Sequence, residues 1–181
     1  MNKDMMKPTI VLLVICLVAA AALAGTYQFT KPMIDEINAR MAAEARMTVL
    51  STADNFEQMD VELKEGVSEV YKATNGAGVV ITSAFKGFGG PVTVMTGFDA
   101  EGKITGVTVT DASDETPGLG SKATLPAYTD QFVGATTVKF GDVDGDATRI
   151  DGVSGATYTS TAVFNAVDAA VAQFAELGGA F

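Results

Sequence analysis

Residues 92–110 read Val92-Thr-Val-Met-Thr-Gly-Phe98, then Asp99-Ala-Glu-Gly102, then Lys103 and Ile104-Thr-Gly-Val-Thr-Val-Thr110. Both runs alternate apolar with polar or small side chains, the period-two pattern of half-buried strands. They are rich in β-branched residues, which favour extended backbone. The four residues between them have turn composition, so the segment predicts an antiparallel hairpin. Upstream, Val79–Phe85 is a third such run, separated from the second by Gly87-Phe-Gly-Gly-Pro91. Downstream, Thr136–Phe140 is a candidate further strand, followed by the acidic stretch Asp142–Asp146. At the C-terminal end, Val163, Phe164, Val167, Val171 and Phe174 recur on one helical face from about Ser160 to Leu177. Gly178-Gly179 then stops the helix. The predicted fold class is α+β, an antiparallel sheet with packed helices, without internal repeats or low-complexity segments.

At the N-terminus no charged side chain occurs from Pro8 to Thr30, and Thr9–Ala24 is the most apolar stretch. Roughly 20 apolar residues cross a bilayer as a helix, so residues 1–30 read as a short cytoplasmic tail and a single transmembrane anchor. Lys3 and Lys7 precede the run, and the positive-inside rule keeps them in the cytoplasm. The expected location is the cell's inner (cytoplasmic) membrane, single-pass, with residues 31–181 extracytoplasmic. A cleaved signal peptide, with Ala22-Leu23-Ala24 as its cleavage site, is the alternative; the length of the run favours a retained anchor. Cys16 follows Val14-Ile15 rather than a small residue, which argues against lipoprotein processing and leaves it a packing role. Pro32, Asp35 and Glu36 suit the first turn of a new helix. Met33, Ile34, Ile37, Met41, Ala45 and Val49 carry helical spacing to about Leu50. Residues 31–70 therefore read as a stalk helix and linker, with Ser51–Glu69 mixed and polar, and residues 71–181 as the globular domain.

Composition narrows the chemistry. Among 181 residues there are 22 acidic and 12 basic side chains, one cysteine, no histidine and no tryptophan, for a net charge of −10. The absence of histidine removes an imidazole base, a zinc–histidine site and histidine-bound haem. One cysteine holds neither an iron–sulfur cluster nor an internal disulfide. An acidic surface repels phosphate backbones, so no nucleic-acid partner is expected, and it disfavours lying flat on anionic lipid. Any redox chemistry therefore requires an organic cofactor held by oxygen and backbone groups. Asp142–Asp146 lacks the glycine and glutamate of an EF-hand loop, with Ala147 and Val153 at those positions, so it reads as a solvated turn and no metal site is expected.

Two loops carry candidate sites. In Asp111–Lys122, Pro117-Gly118 suits a type II turn and Gly120 permits close backbone approach. Leu119 is an isolated apolar residue near Glu115, Thr116 and Lys122, an arrangement suited to a planar heteroaromatic ligand; an ordinary loop is the plainer alternative. Asp151-Gly-Val-Ser-Gly-Ala-Thr-Tyr-Thr-Ser160 runs straight into the terminal helix, and free N–H groups at a helix start attract phosphate. A plain N-cap by Thr157, Thr159 or Ser160 explains the same residues, and from the residues alone that reading prevails.

Both loops resemble signatures of the FMN-binding domain family found in the G subunit of Rnf complexes and the C subunit of sodium-pumping NADH:quinone reductases. The resemblance implies that a flavin transferase recognises the segment of Asp151, Gly152, Ser154, Gly155 and Ala156, with Ser154, Gly155 and Ala156 also among the cofactor-binding residues. It would link FMN through its phosphate to Thr157, the residue that ends Ser-Gly-Ala-Thr. It also implies that Glu115-Thr-Pro-Gly-Leu-Gly120, with Thr116, Gly118, Leu119, Gly120 and nearby Lys122, lies against the isoalloxazine, with Phe88 of Gly87–Pro91 close by. Relatives often place a histidine just before the Glu-Thr-Pro-Gly-Leu-Gly segment; Ser113-Asp114 stand there instead. The implied function is an electron-transfer subunit of the Rnf type, without a catalytic acid or base of its own. It would act with other membrane subunits in moving electrons between ferredoxin and NAD, coupled to Na⁺ or H⁺ translocation. The alternatives are the quinone-reductase C subunit, a stand-alone extracytoplasmic flavoprotein, and a non-redox membrane-tethered binding module. A covalent tether holds the cofactor locally whatever the external flavin concentration, which matters outside the cytoplasm.

Overall fold

The computed structural model describes residues 3–141 and 145–178, with side chains from Lys7 onward. The acidic stretch Asp142–Asp146 falls outside the described residues at positions 142–144, as does Gly179 at the expected helix stop.

Helix α1, Lys3–Val49, is unbroken and carries both Pro8 and Pro32 in its interior. The expected division into an anchor and a separate stalk helix beginning at Pro32 is thereby corrected. An interior proline costs about 3 kcal/mol, and the helix nonetheless continues on both sides of each proline. The Lys31–Asp35 ion pair at 2.8 Å spans the proline at i,i+4 spacing. Among the described residues α1 alone is long and apolar enough to cross a membrane.

The chain forms two compact units, one through Ala42 and one from Ala43 onward. The second opens with the last turns of α1 and contains a five-stranded antiparallel sheet in simple chain order. Its strands are β1 Phe56–Gln58, β2 Val67–Ala73, β3 Gly78–Lys86, β4 Pro91–Asp99 and β5 Ile104–Asp111. The compact unit thus takes in β1 and most of β2, which lie ahead of the boundary expected at residue 71. The hairpin of β4 and β5 pairs as expected, with Val94 opposite Val109 and Met95 opposite Thr108. After β5 come a 3-10 turn (Gly120–Thr124), the one-turn helix α2 (Pro126–Thr129) and a second 3-10 turn (Asp130–Phe132). A small second sheet pairs β6 Val138–Phe140 with β7 Thr148–Ile150 in parallel. Helix α3, Thr157–Leu177, completes the unit.

Alternation along β4 sends successive side chains to opposite faces of the sheet. On one face Phe98 stacks on Phe174 of α3 at 5.0 Å between centroids. Val79, Ile81, Val92, Val94 and Val107 pack there with Ala162, Val163, Ala166, Val167 and Ala170 in a continuous core. On the other face Gly97 receives the carbonyl of Val49, and the Thr105 hydroxyl donates to that same oxygen. Arg46 lies over the Tyr71 ring at 3.9 Å. This packing anchors the end of α1 to the sheet.

Candidate functional site

Glu115 is the polar centre of the site. Four residues beyond β5, it is only 4% exposed. One carboxylate oxygen accepts the N–H of Gly89 at 3.0 Å, and the other accepts the hydroxyl of Thr159 on α3. The carboxylate therefore ties together the Gly87–Gly90 loop, its own loop and the first turn of α3. Burial alone would raise its pKa. The Thr159 hydroxyl and the backbone N–H groups of Gly89, Phe88 and Gly90 outweigh this and hold it below the ordinary value of 4.5. The close packing explains the glycines of Gly87-Phe-Gly-Gly90. A side chain at Gly89 would collide with the Asp114 carbonyl, and one at Gly87 or Gly90 with the carboxylates of Glu115 or Asp114.

Around this tie lies a mainly apolar cavity of about 270 Å³, lined by Phe88, Leu119, Tyr158 and the backbone of Gly120, Gly155 and Ala156. Glu115, Thr116, Thr157 and Thr159 supply its polar edges. The Leu119 position is set by a tight turn. The Leu119 N–H donates to the Thr116 carbonyl at 3.2 Å, and Gly118 takes φ +75°, as the third residue of a type II turn requires. Phe88 and Tyr158 face each other with centroids 6.0 Å apart, and both remain mostly exposed.

The start of α3 separates three hydroxyls that the sequence could not rank. Ser160 is fully buried, and its Oγ accepts the Val153 N–H at 2.9 Å. Thr159 is buried and donates to Glu115. Thr157 is exposed on the cavity wall and stands first in the helix. The N-cap position is Ala156, which makes no side-chain cap bond, so the expectation of a cap by Thr157, Thr159 or Ser160 is corrected. The free N–H groups of this first turn are left to a ligand or to water.

The structure brings Phe88, Glu115, Thr116, Leu119, Gly120, Gly155, Ala156 and Thr157 to one cavity. It does not bring Gly118, Lys122, Ser154, Asp151 or Gly152 to the cavity wall. Gly118 shapes the turn, and Lys122 is exposed on the 3-10 turn that follows. Asp151 pairs with Arg149 at 2.9 Å and exchanges backbone bonds with the Gln131 amide. Gly152 packs against the Phe140 ring. Tyr158 and Thr159 were missed as cavity residues. Their only sequence signal was adjacency to Thr157 at a helix start, where residues one and two positions on also turn toward the same end.

An apolar slot with aromatic walls, an exposed hydroxyl at its edge and an uncapped helix start together suit a flavin ring and its phosphate. Residues 87–172 match the FMN-binding domain family, and residues 1–49 match the RnfG N-terminal region. The chain is 34% identical to the G subunit of the Na⁺-translocating ferredoxin:NAD⁺ oxidoreductase complex of Acetobacterium woodii, over 97% of this chain and 94% of that one. It is 32% identical to the G subunit of the ion-translocating oxidoreductase complex of Methanosarcina acetivorans, over 94% of each. It is 27% identical to the G subunit of the proton-translocating ferredoxin:NAD⁺ oxidoreductase complex of Clostridium ljungdahlii, over 93% of this chain and 90% of that one. A crystal structure of NqrC from Shewanella oneidensis aligns with 65% of each chain at 26% identity and a TM-score of 0.47. With near full-length similarity to these subunits and a match to both parts of their architecture, the chain belongs to the RnfG family of ion-translocating oxidoreductase complexes and carries an FMN-binding domain.

Proposed function

We propose that this chain is the flavin-bearing redox subunit of a membrane complex that moves electrons between ferredoxin and NAD and couples this to ion translocation. FMN is held covalently, through a phosphoester between its phosphate and the Thr157 hydroxyl. The single observation that carries the assignment is the state of the three hydroxyls. Thr157 is exposed at the cavity edge, whereas Thr159 and Ser160 are buried and engaged. The bound FMN supplies electron acceptance and donation. The protein's residues position and shield it. Phe88, Leu119 and Tyr158 present apolar surface, and the uncapped first turn of α3 offers N–H groups and a favourable dipole to the phosphate. A flavin transferase acts on the segment Asp151–Thr157, which leads into α3. Apart from Gly155, Ala156 and Thr157, this segment lies outside the cavity wall. In this reading the N-terminus lies in the cytoplasm and the FMN-binding domain on the opposite side of the membrane, which the positive-inside rule supports through Lys3 and Lys7. Peptide mapping by mass spectrometry, after co-expression with a flavin transferase, tests the reading. It predicts an FMN adduct on the peptide containing Thr157. An unmodified peptide from fully competent cells would contradict it.

A further inference from the structure

Glu115 matches the family-like segment as a group expected to face the ring, yet both of its oxygens are engaged by the protein itself. Its partners lie on two other segments, Gly89 between β3 and β4 and Thr159 on α3, 26 and 44 residues away. The Gly89 N–H donates to the Glu115 carboxylate, so removing the carboxylate removes this bond. Gly120 passes so close that a β-carbon there would stand 2.6 Å from Oε2 of Glu115 and 2.9 Å from the Thr159 hydroxyl. A buried carboxylate with several donors is a fixed charge, because the donors replace the water it has lost. Glu115 also lines the cavity, so that charge acts at short range on a group held there.

We propose that Glu115 is the positioning residue of the cavity: its carboxylate locks the Gly87–Gly90 loop to α3, and its negative charge lowers the midpoint potential of a flavin held there. The locking half stands on the protein alone; the potential half rests on the flavin reading above. The two halves separate through two variants. In Glu115→Gln the amide oxygen still accepts from Gly89, and the amide nitrogen donates to the Thr159 hydroxyl after that rotor reverses. The lock persists and the charge is gone. In Glu115→Ala both are lost.

The experiment has two readouts. Amide hydrogen exchange on flavin-free, full-length protein in detergent follows the Gly89 N–H. It is expected to exchange on the order of tenfold faster in Glu115→Ala than in wild type. In Glu115→Gln it stays protected. Redox titration of flavin-loaded protein is expected to give a more positive midpoint potential for Glu115→Gln than for wild type, since reduction no longer adds charge beside a carboxylate. Unchanged Gly89 exchange in Glu115→Ala overturns the lock. An equal or more negative potential in Glu115→Gln overturns the electrostatic role. Should wild type carry no flavin at all, the functional reading fails, while the exchange measurement still decides the lock.

Discussion

Leu119 Cδ1 lies 3.1 Å from where a β-carbon on Gly155 would stand. The two loops that flank the cavity therefore meet at a residue pair in which one partner has no side chain. Gly155 also takes φ +80°, which L-residues with a β-carbon disfavour. Gly155→Ala should lose about 1–2 kcal/mol from backbone strain alone, with Leu119 displaced from the cavity wall. Chemical denaturation of the variant measures the loss. A melt unchanged from wild type would mean that the turn relaxes without the contact.

Leu119→Asp should keep the covalent flavin while altering its spectrum and potential. A carboxylate at this position is poorly solvated against the apolar wall and repels charge added on reduction. Visible spectra and redox titration of the loaded protein check this. An unchanged spectrum and potential would place the flavin elsewhere.

The depressed pKa of Glu115 has a defined consequence for stability. A carboxyl whose folded pKa is below its unfolded value stabilises the fold fully above the unfolded value, 4.5, and loses that contribution as pH falls through the folded value. Glu115→Gln has no such step. The stability advantage of wild type over Glu115→Gln should therefore shrink as pH falls from about 6 to about 3. Urea midpoints across that range measure it, and a constant difference would contradict the assignment.

Gly97→Ala should loosen the end of α1. The added methyl collides with the backbone of Val49, which no rotamer change relieves. Overpacking of this kind costs about 1–3 kcal/mol, read as a lower melting temperature of the full-length protein.

The parts of the fold that were legible in the sequence were those with a local period. The hairpin of β4 and β5 alternates cleanly, and α3 repeats its apolar face over five turns, with Ala162, Ala166 and Ala170 adding small residues to the same face. Strand β2 was hidden because a bulge between Val67 and Glu69 shifts its register, and the three-residue strands β1 and β7 are too short to alternate. Pro32 misled because a proline suits a helix start, whereas here it lies inside one continuous helix. At the site, Leu119 and Thr157 stood out through turn chemistry and motif. The pairing of Glu115 with Thr159 spans 44 residues and leaves no trace in local spacing.

The central claim is attachment at Thr157, and a single gel addresses it. Wild type, Thr157→Ala, Thr159→Ala and Ser160→Ala are each co-expressed with a flavin transferase, denatured and examined for flavin fluorescence. Thr157→Ala loses the nucleophilic oxygen of an exposed side chain, so its fold should persist while its band goes dark. Thr159→Ala and Ser160→Ala lose only internal bonds and should stay fluorescent. A fluorescent Thr157→Ala band would contradict the account.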